Sequence, residues 1–316
     1  MDNNKDKKID SIIKRIMNSM NIVISSHVHP DGDAIGSVLA LSSVLIRRGK
    51  NIRALIDFDI PPNYNSLFDC SIIEKPKDYI NAELLIVLDT VANSKRIGRV
   101  FELINAPILT IDHHKTNNCI SDLSFVDSNY SSTCEIVFEM INRLAIDIDK
   151  EIAEYLYLGV ATDTNFFQSD SVTTSTFNVA AKLREIGADI GSVSRVVHMR
   201  SIDEVKLEGE ARTHIRKYMD GKVIGLFLDK QYKDLEQSNS LIESMRTIEG
   251  AELVFLMQFD KENCYRVRMR SKWLDISELA KNMGGGGHAY SAGFTIYSDY
   301  DSAKEILLNE IRELVG

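Results

Sequence analysis

Cysteine is too sparse to organise this chain. Cys70, Cys119, Cys134 and Cys264 are scattered and form no CxxC pair. That argues against a disulfide framework and against a thiolate-rich zinc site. Each reads as a small buried or surface residue. Long hydrophobic runs are also missing, and none approaches the roughly 18 residues that a membrane-spanning helix needs. The opening segment, MDNNKDKKIDSIIKRIMNSM, is polar and charged where a signal peptide carries its apolar core. Ile9, Ile12, Ile13 and Ile16 stand near helical spacing within it, so an amphipathic helix and a cytoplasmic location are expected. Positive charge is in deficit: 37 Lys and Arg against 46 Asp and Glu give a net charge of −9. Binding of long duplex nucleic acid needs an extended basic face, so this balance argues against it. A short anionic substrate stays open, because cations held by an aspartate-rich site dominate its local field.

The 316 residues, 44% hydrophobic and 26% charged, suit two globular domains. NIVISS (21–26), NIRALID (51–57), LLIVLD (84–89) and PILTIDHH (107–114) are near-continuous apolar strand candidates separated by helical patterns. Such an alternation predicts a parallel sheet with helices on both faces. Helical patterns dominate from about Ser131 to Met219. Beyond Gly221, the segments KVIGLFLD, AELVFLMQFD, NCYRVRMR and AGFTIY alternate with the helical LIESMR and ISELAKNM. The expected division is therefore an α/β domain over 1–195 and a smaller α+β domain over 196–316.

The segment from Ser26 to Ser37, SHVHPDGDAIGS, lies between a predicted strand and a predicted helix. Ligands bind at the carboxyl ends of strands in open parallel sheets. Gly32 lets a tight turn bring Asp31 and Asp33 together, although a plain loop with Asp33 capping the next helix is the bland alternative. Asp89 ends the LLIVLD strand, Asp112, His113 and His114 end ILTIDHH, and Asp163 closes the helical GVATD. Each has an ordinary explanation as a cap or turn residue. Strand ends of one sheet converge, however, and clustered carboxylates repel one another unless cations offset them. Oxygen and imidazole donors without thiolate suit manganese, magnesium or cobalt better than structural zinc. Two such ions roughly 3.5–4 Å apart favour phosphoryl displacement, and Asp89 is a natural bridging carboxylate.

HVHPDGDAIGS, VLDT, IDHH and ATDT follow one another in the order of the motifs of the DHH phosphoesterase superfamily, which the chain resembles over nearly its whole length. RMRSK and GGGGHAYSAGF resemble the DHH-associated domain that accompanies it. The likeness is greatest to the branch of bifunctional oligoribonucleases and pAp phosphatases. It implies that His27, Asp31 and Asp89 hold one metal ion, most plausibly Mn2+. Asp33, Asp89, His113 and Asp163 would hold a second. His114 would face the scissile phosphate, and Asp112 would support the histidine pair.

In the second domain, Arg266, Arg268 and Arg270 share one strand face, with Val267 and Met269 on the other. A solvated face is the plain reading for Arg266. Arg270, and next Arg268, carry the planar fork that fits phosphate oxygens. Four glycines, Gly284 to Gly287, precede His288. Ordering such a run is costly, whereas its N–H groups can form an anion-binding concavity. The resemblance assigns Arg270, Ser271, Gly285, Gly286, Gly287 and His288 to substrate binding; Ala289 stands where the family often has a basic residue. The expected enzyme works in an interdomain cleft on short RNA oligonucleotides, linear dinucleotides and pAp, with a homodimer plausible. A cyclic dinucleotide phosphodiesterase, a manganese pyrophosphatase and a non-catalytic nucleotide or RNA binder are the competing readings.

Overall fold

The structure is a computed structural model that describes residues 3–115, 117, 123–233, 235 and 239–315; Cys119 lies outside these residues. The chain divides into two compact units, Met1–Met199 and Arg200–Gly316.

The first unit is organised on six parallel strands: β1 (Asn21–Ser25), β2 (Asn51–Leu55), β3 (Ile73–Glu74), β4 (Leu84–Leu88), β5 (Ile108–Asp112) and β6 (Ser124–Val126). They lie in the order β3-β2-β1-β4-β5-β6. Both faces are covered, as the apolar runs predict. Ile22, Ile24, Ile86 and Leu88 enter one buried cluster, while Val23, Leu85 and Val87 enter another with Ile97 and Val100. Strand order reverses direction between β1 and β4. In doubly wound sheets, ligands bind beside such a junction, at the carboxyl ends of the strands.

Five helices matter to the site: α1 (Asn3–Asn18), α2 (Gly32–Arg47), α3 (Thr133–Arg143), α4 (Lys150–Asp163) and α5 (Thr174–Ile186). The amphipathic α1 buries Ile9, Ile12 and Ile16. Helix α2 is apolar nearly all round and correspondingly buried. Its small residues set how near α4 can come. A Cβ on Gly32 would meet Thr162 Oγ1 at 2.3 Å, and one on Gly36 would meet the Tyr155 carbonyl at 2.3 Å. No helix among the described residues is long and apolar enough to cross a membrane.

The second unit carries a mixed six-stranded sheet: β7 (Arg216–Tyr218), β8 (Val223–Leu228), β9 (Leu253–Lys261), β10 (Cys264–Ser271), β11 (Gly286–His288) and β12 (Ser291–Ile296). Their order is β11-β12-β10-β9-β8-β7, with only β8 and β9 paired in parallel. Helices Asn239–Arg246, Ser277–Asn282 and Tyr300–Val315 accompany this sheet. The strands β7 and β11 and the last helix lie beyond those the sequence predicts. Gly286–His288 forms an edge strand rather than a plain loop. Gly285 and Gly287 are needed by the hairpin itself. A Cβ on Gly285 would stand 2.1 Å from the Gly293 carbonyl, and one on Gly287, at φ +142°, 2.4 Å from that of Ser291.

Candidate metal centre

Every predicted acidic and histidine ligand of the first domain arrives at the carboxyl end of its sheet. After β1 the chain turns through His27, and Ser26 Oγ donates to the Leu88 carbonyl at 2.7 Å, tying that exit to β4. Helix α2 begins at Gly32, so its cap is Asp31, whose Oδ1 accepts from the N–H groups of Asp33 and Ala34. The bland alternative, with Asp33 as the cap of this helix, is not what forms. Asp33 sits inside the first turn and points inward, where the N-terminus of α3 receives it. Its Oδ2 accepts from Thr133 N at 2.6 Å and its Oδ1 from Cys134 N at 2.8 Å. Unpaired N–H groups and the helix dipole make that terminus a natural seat for a carboxylate.

Asp89 terminates β4 in the left-handed region, at φ +62°. A non-glycine residue adopts that conformation at a cost of about 1–3 kcal/mol, which the surroundings must impose. Here the Asp89 N–H is fixed on the Ile111 carbonyl at 2.9 Å, and Thr133 Oγ1 donates to its Oδ1 at 3.1 Å. The result is one buried carboxylate reached from both sides. His27 Nε2 stands 3.4 Å from Asp89 Oδ2 and 3.9 Å from Asp31 Oδ1. His113 Nε2 stands 3.6 Å from Asp89 Oδ1, 3.1 Å from Asp163 Oδ2 and 3.9 Å from Asp33 Oδ2. Donor atoms of His27, Asp31 and Asp89 all lie within 4.8 Å of one another, as do those of Asp33, His113 and Asp163.

His114 turns differently. Its Nδ1 is 2.7 Å from Asp112 Oδ1, which also accepts the His114 N–H, while Asn117 Nδ2 donates to Asp112 Oδ2 at 2.6 Å. Asp112 therefore orients the second histidine.

The electrostatics test whether cations fit. Burial, then repulsion from Asp31, raises the Asp33 carboxyl to about 6 against hydrogen bonds from Cys134 and Thr133. Burial and the neighbouring carboxylates push Asp89 and Asp163 well above the carboxylate range. Burial opposes charge on His114, but its hydrogen bond to Asp112 and the surrounding aspartates carry it up to about 9. Asp112, although buried, is held at about 2 by the His114 and Asn117 contacts. Among the described residues, no lysine or arginine pairs with Asp31, Asp33, Asp89 or Asp163; their ion-pair partners are histidines alone. Buried carboxylates in mutual repulsion, faced by imidazoles, are what divalent cations stabilise. The nearby Cys134 thiol is pushed well up by burial and by Asp33, so the donor set is oxygen and nitrogen.

Three comparisons with known proteins bear on this geometry. The DHH family, N-terminal domain, matches residues 21–160, and the DHHA1 domain matches residues 220–316. The chain therefore carries a DHH domain followed by a DHHA1 domain. It is a metal-dependent phosphoesterase, a hydrolase of phosphoester bonds. The bifunctional oligoribonuclease and PAP phosphatase NrnA of Thermus thermophilus is 29% identical over 92% of this DHH chain and 89% of its own length. The protein of the same name from Bacillus subtilis is 29% identical over 94% and 95%. In fold, an exopolyphosphatase-related protein from Bacteroides fragilis agrees with a TM-score of 0.86 at 25% identity, covering 98% of this chain and 96% of that one.

Sequence reasoning missed Thr133 and Cys134, whose backbone and hydroxyl groups hold two of the aspartates. Their signal was present: Ser132 followed three residues later by Glu135 marks a helix start, and Ser132 does cap α3. It also missed Gly159, where a Cβ would lie 2.5 Å from Asp33 Oδ1.

The second DHH-associated unit disposes its predicted residues less uniformly. Arg266 pairs with Asp260, in keeping with a solvated face. Arg270 Nε donates to Glu243 Oε1 at 2.8 Å. Arg268 Nη1 donates to Gln258 Oε1 at 3.2 Å; burial, then repulsion from Arg266 and Arg270, lowers its guanidinium to about 10. Ser271 Oγ accepts from Leu274 N at 2.7 Å and Trp273 N at 3.3 Å, which gives the hydroxyl a turn-forming role. His288 ends β11 opposite Ser291.

Proposed function

We propose that this phosphoesterase cleaves very short RNA oligonucleotides and linear dinucleotides to mononucleotides and removes the 3′-phosphate of pAp. The observation that carries the reading is Asp89, one carboxylate with His27 at one oxygen and His113 at the other. That arrangement supports a two-ion centre, with His27, Asp31 and Asp89 around one divalent ion and Asp33, Asp89, His113 and Asp163 around its neighbour. Manganese is the preferred ion for this mixture of carboxylate and imidazole. When bound, such a pair acidifies water and offsets charge on the attacking and leaving oxygens.

The chain's own groups do the rest. Thr133 and Cys134 fix Asp33, and Thr133 fixes one oxygen of Asp89. His114, kept protonated by Asp112, faces the phosphate and neutralises the charge that grows on its oxygens. In the reaction an oxygen of water bonds to phosphorus, the phosphorus–sugar oxygen bond breaks, and the departing sugar oxygen takes a proton. From the DHHA1 domain, Arg268, Arg270, Ser271, the Gly285–Gly287 backbone and His288 grip the terminal phosphate or nucleotide. Arg268 is the best supported of these, because it lies between two further arginines on one strand and an anion relieves their repulsion. The acidic balance of the whole chain and the absence of a membrane helix among the described residues fit a cytoplasmic enzyme for short substrates.

Product analysis with manganese tests the proposal, offering pAp, pApA, a 24-residue RNA, a cyclic dinucleotide and pyrophosphate side by side. AMP from both pAp and pApA, with the long RNA cleaved slowly, is the expected outcome. Turnover of the cyclic dinucleotide or pyrophosphate alone overturns the substrate assignment, and no turnover at all puts a nucleotide-binding protein in its place.

A further inference from the structure

The Arg96 side chain is tied directly to the strand end that carries Asp89. Its Nε donates to Thr90 Oγ1 at 2.9 Å, and the Thr90 side chain is buried immediately after Asp89. Its carbonyl accepts from Val28 N at 2.7 Å, which locks the short helix Ser94–Ile97 onto the turn that bears His27. Two metal-binding segments thus converge on this single residue. Among the described residues, neither Nη1 nor Nη2 has a hydrogen-bond acceptor or a carboxylate partner. The contrast is sharp with Arg99, four positions from Lys95 in the same segment, whose fork is closed on Asp57 at 3.0 and 3.1 Å through Nε.

A guanidinium anchored through Nε keeps its two terminal nitrogens in a fixed plane, which is the geometry of bidentate phosphate recognition. Arg96 is solvent-exposed, whereas Asp33, Asp89 and His113 are buried. The guanidinium is thus tied to the residue that follows Asp89 without being one of the buried groups of the cluster.

We propose that Arg96 is a substrate-positioning residue that binds the phosphate adjacent to the one being cleaved, so that the first domain itself selects substrates with two phosphates. The inference rests on the oligonucleotide reading above and adds to it a specificity determinant. Thr90 acts through Arg96, by holding the guanidinium plane.

The test is steady-state kinetics on ApA, which carries only the scissile phosphate, and on pApA, which adds a 5′-phosphate. Arg96→Ala should lower kcat/KM for pApA about tenfold to a hundredfold more than for ApA, mostly through KM, the size expected of a charged hydrogen bond. Arg96→Lys should retain part of that preference, and Thr90→Val should lose part of it. A merely structural Arg96 would depress both substrates by the same factor and lower the melting temperature; that result, or an unchanged pApA-to-ApA ratio, overturns the inference. Wild-type protein that cleaves neither dinucleotide overturns the oligonucleotide reading and the inference together.

Discussion

Replacing glycine by alanine inside a helix ordinarily stabilises a protein by about 0.5–1 kcal/mol. At Gly159, in the third turn of α4, the structure predicts the opposite sign. A Cβ there would lie 2.2 Å from Cys134 Sγ and 2.5 Å from Asp33 Oδ1, distances at which something must move. Neither neighbour is a flexible chain end: Cys134 is buried in the first turn of α3, and Asp33 is pinned by two backbone N–H groups of that turn. Overpacking of this kind costs about 1–3 kcal/mol, enough to outweigh the helical gain. Disturbing a group that orients a metal ligand adds a 10- to 100-fold loss in metal affinity. Gly209→Ala is the internal control, because its helix Ile202–Arg212 leaves nothing within 4 Å of the added methyl. Thermal melts with and without manganese, combined with calorimetric titration of the metal, read both effects. Gly209→Ala should melt no lower than the parent. Gly159→Ala should melt several degrees lower, at about 2–4 °C per kcal/mol for a domain of this size, and gain little from manganese. A Gly159→Ala protein that melts as high as the parent and binds metal equally well would refute the packing argument.

Two further outcomes follow from the electrostatics. Asp33 is raised to about 6 in the fold, so the folded state keeps a proton that the unfolded chain sheds near pH 4. His114 is raised to about 9, and its contribution is present below the unfolded value of 6.5 and lost above it. Metal-free protein should therefore melt lower as pH rises from about 4 to 6 and lower again from 6.5 to 9. Added manganese should stabilise more strongly over the same range, because its ligands must be deprotonated. Scanning fluorimetry across pH with chelator or manganese checks this, and a metal-free melting temperature that climbs from pH 5 to 8 contradicts it. In the DHHA1 domain, Glu243 occupies Arg270 Nε. If Arg270 grips phosphate, Glu243→Gln should lower KM for pAp severalfold with kcat little changed; a raised KM removes Arg270 from the substrate set.

The strand ends were legible because doubly covered parallel strands read as continuous apolar runs, and in LLIVLD and ILTID the polarity changes abruptly at Asp89 and Asp112. The gathering of acidic and histidine side chains followed, since the ends of parallel strands converge at one sheet edge. What holds those carboxylates was not legible. Asp33 and its partners Thr133 and Cys134 are about a hundred residues apart, and local pattern gives a helix start but not the carboxylate it receives. Gly159 looks like a weak point in a helix until the packed neighbour is known. Gly285 and Gly287 invite an anion-binding interpretation from sequence, whereas their immediate requirement is the tight β11–β12 hairpin. Arg96 carries no motif signal, and only its bond to Thr90 draws attention to it.

Metal stoichiometry tests the central claim most directly, by calorimetric titration of manganese into the chelator-stripped protein and its Asp89→Asn variant, with pAp turnover followed in parallel. A shared Asp89 predicts two ions per wild-type chain, with the variant losing at least one of them and nearly all turnover. Two ions retained at parental affinity in the variant, or none bound by the wild type, would contradict a centre organised on that carboxylate.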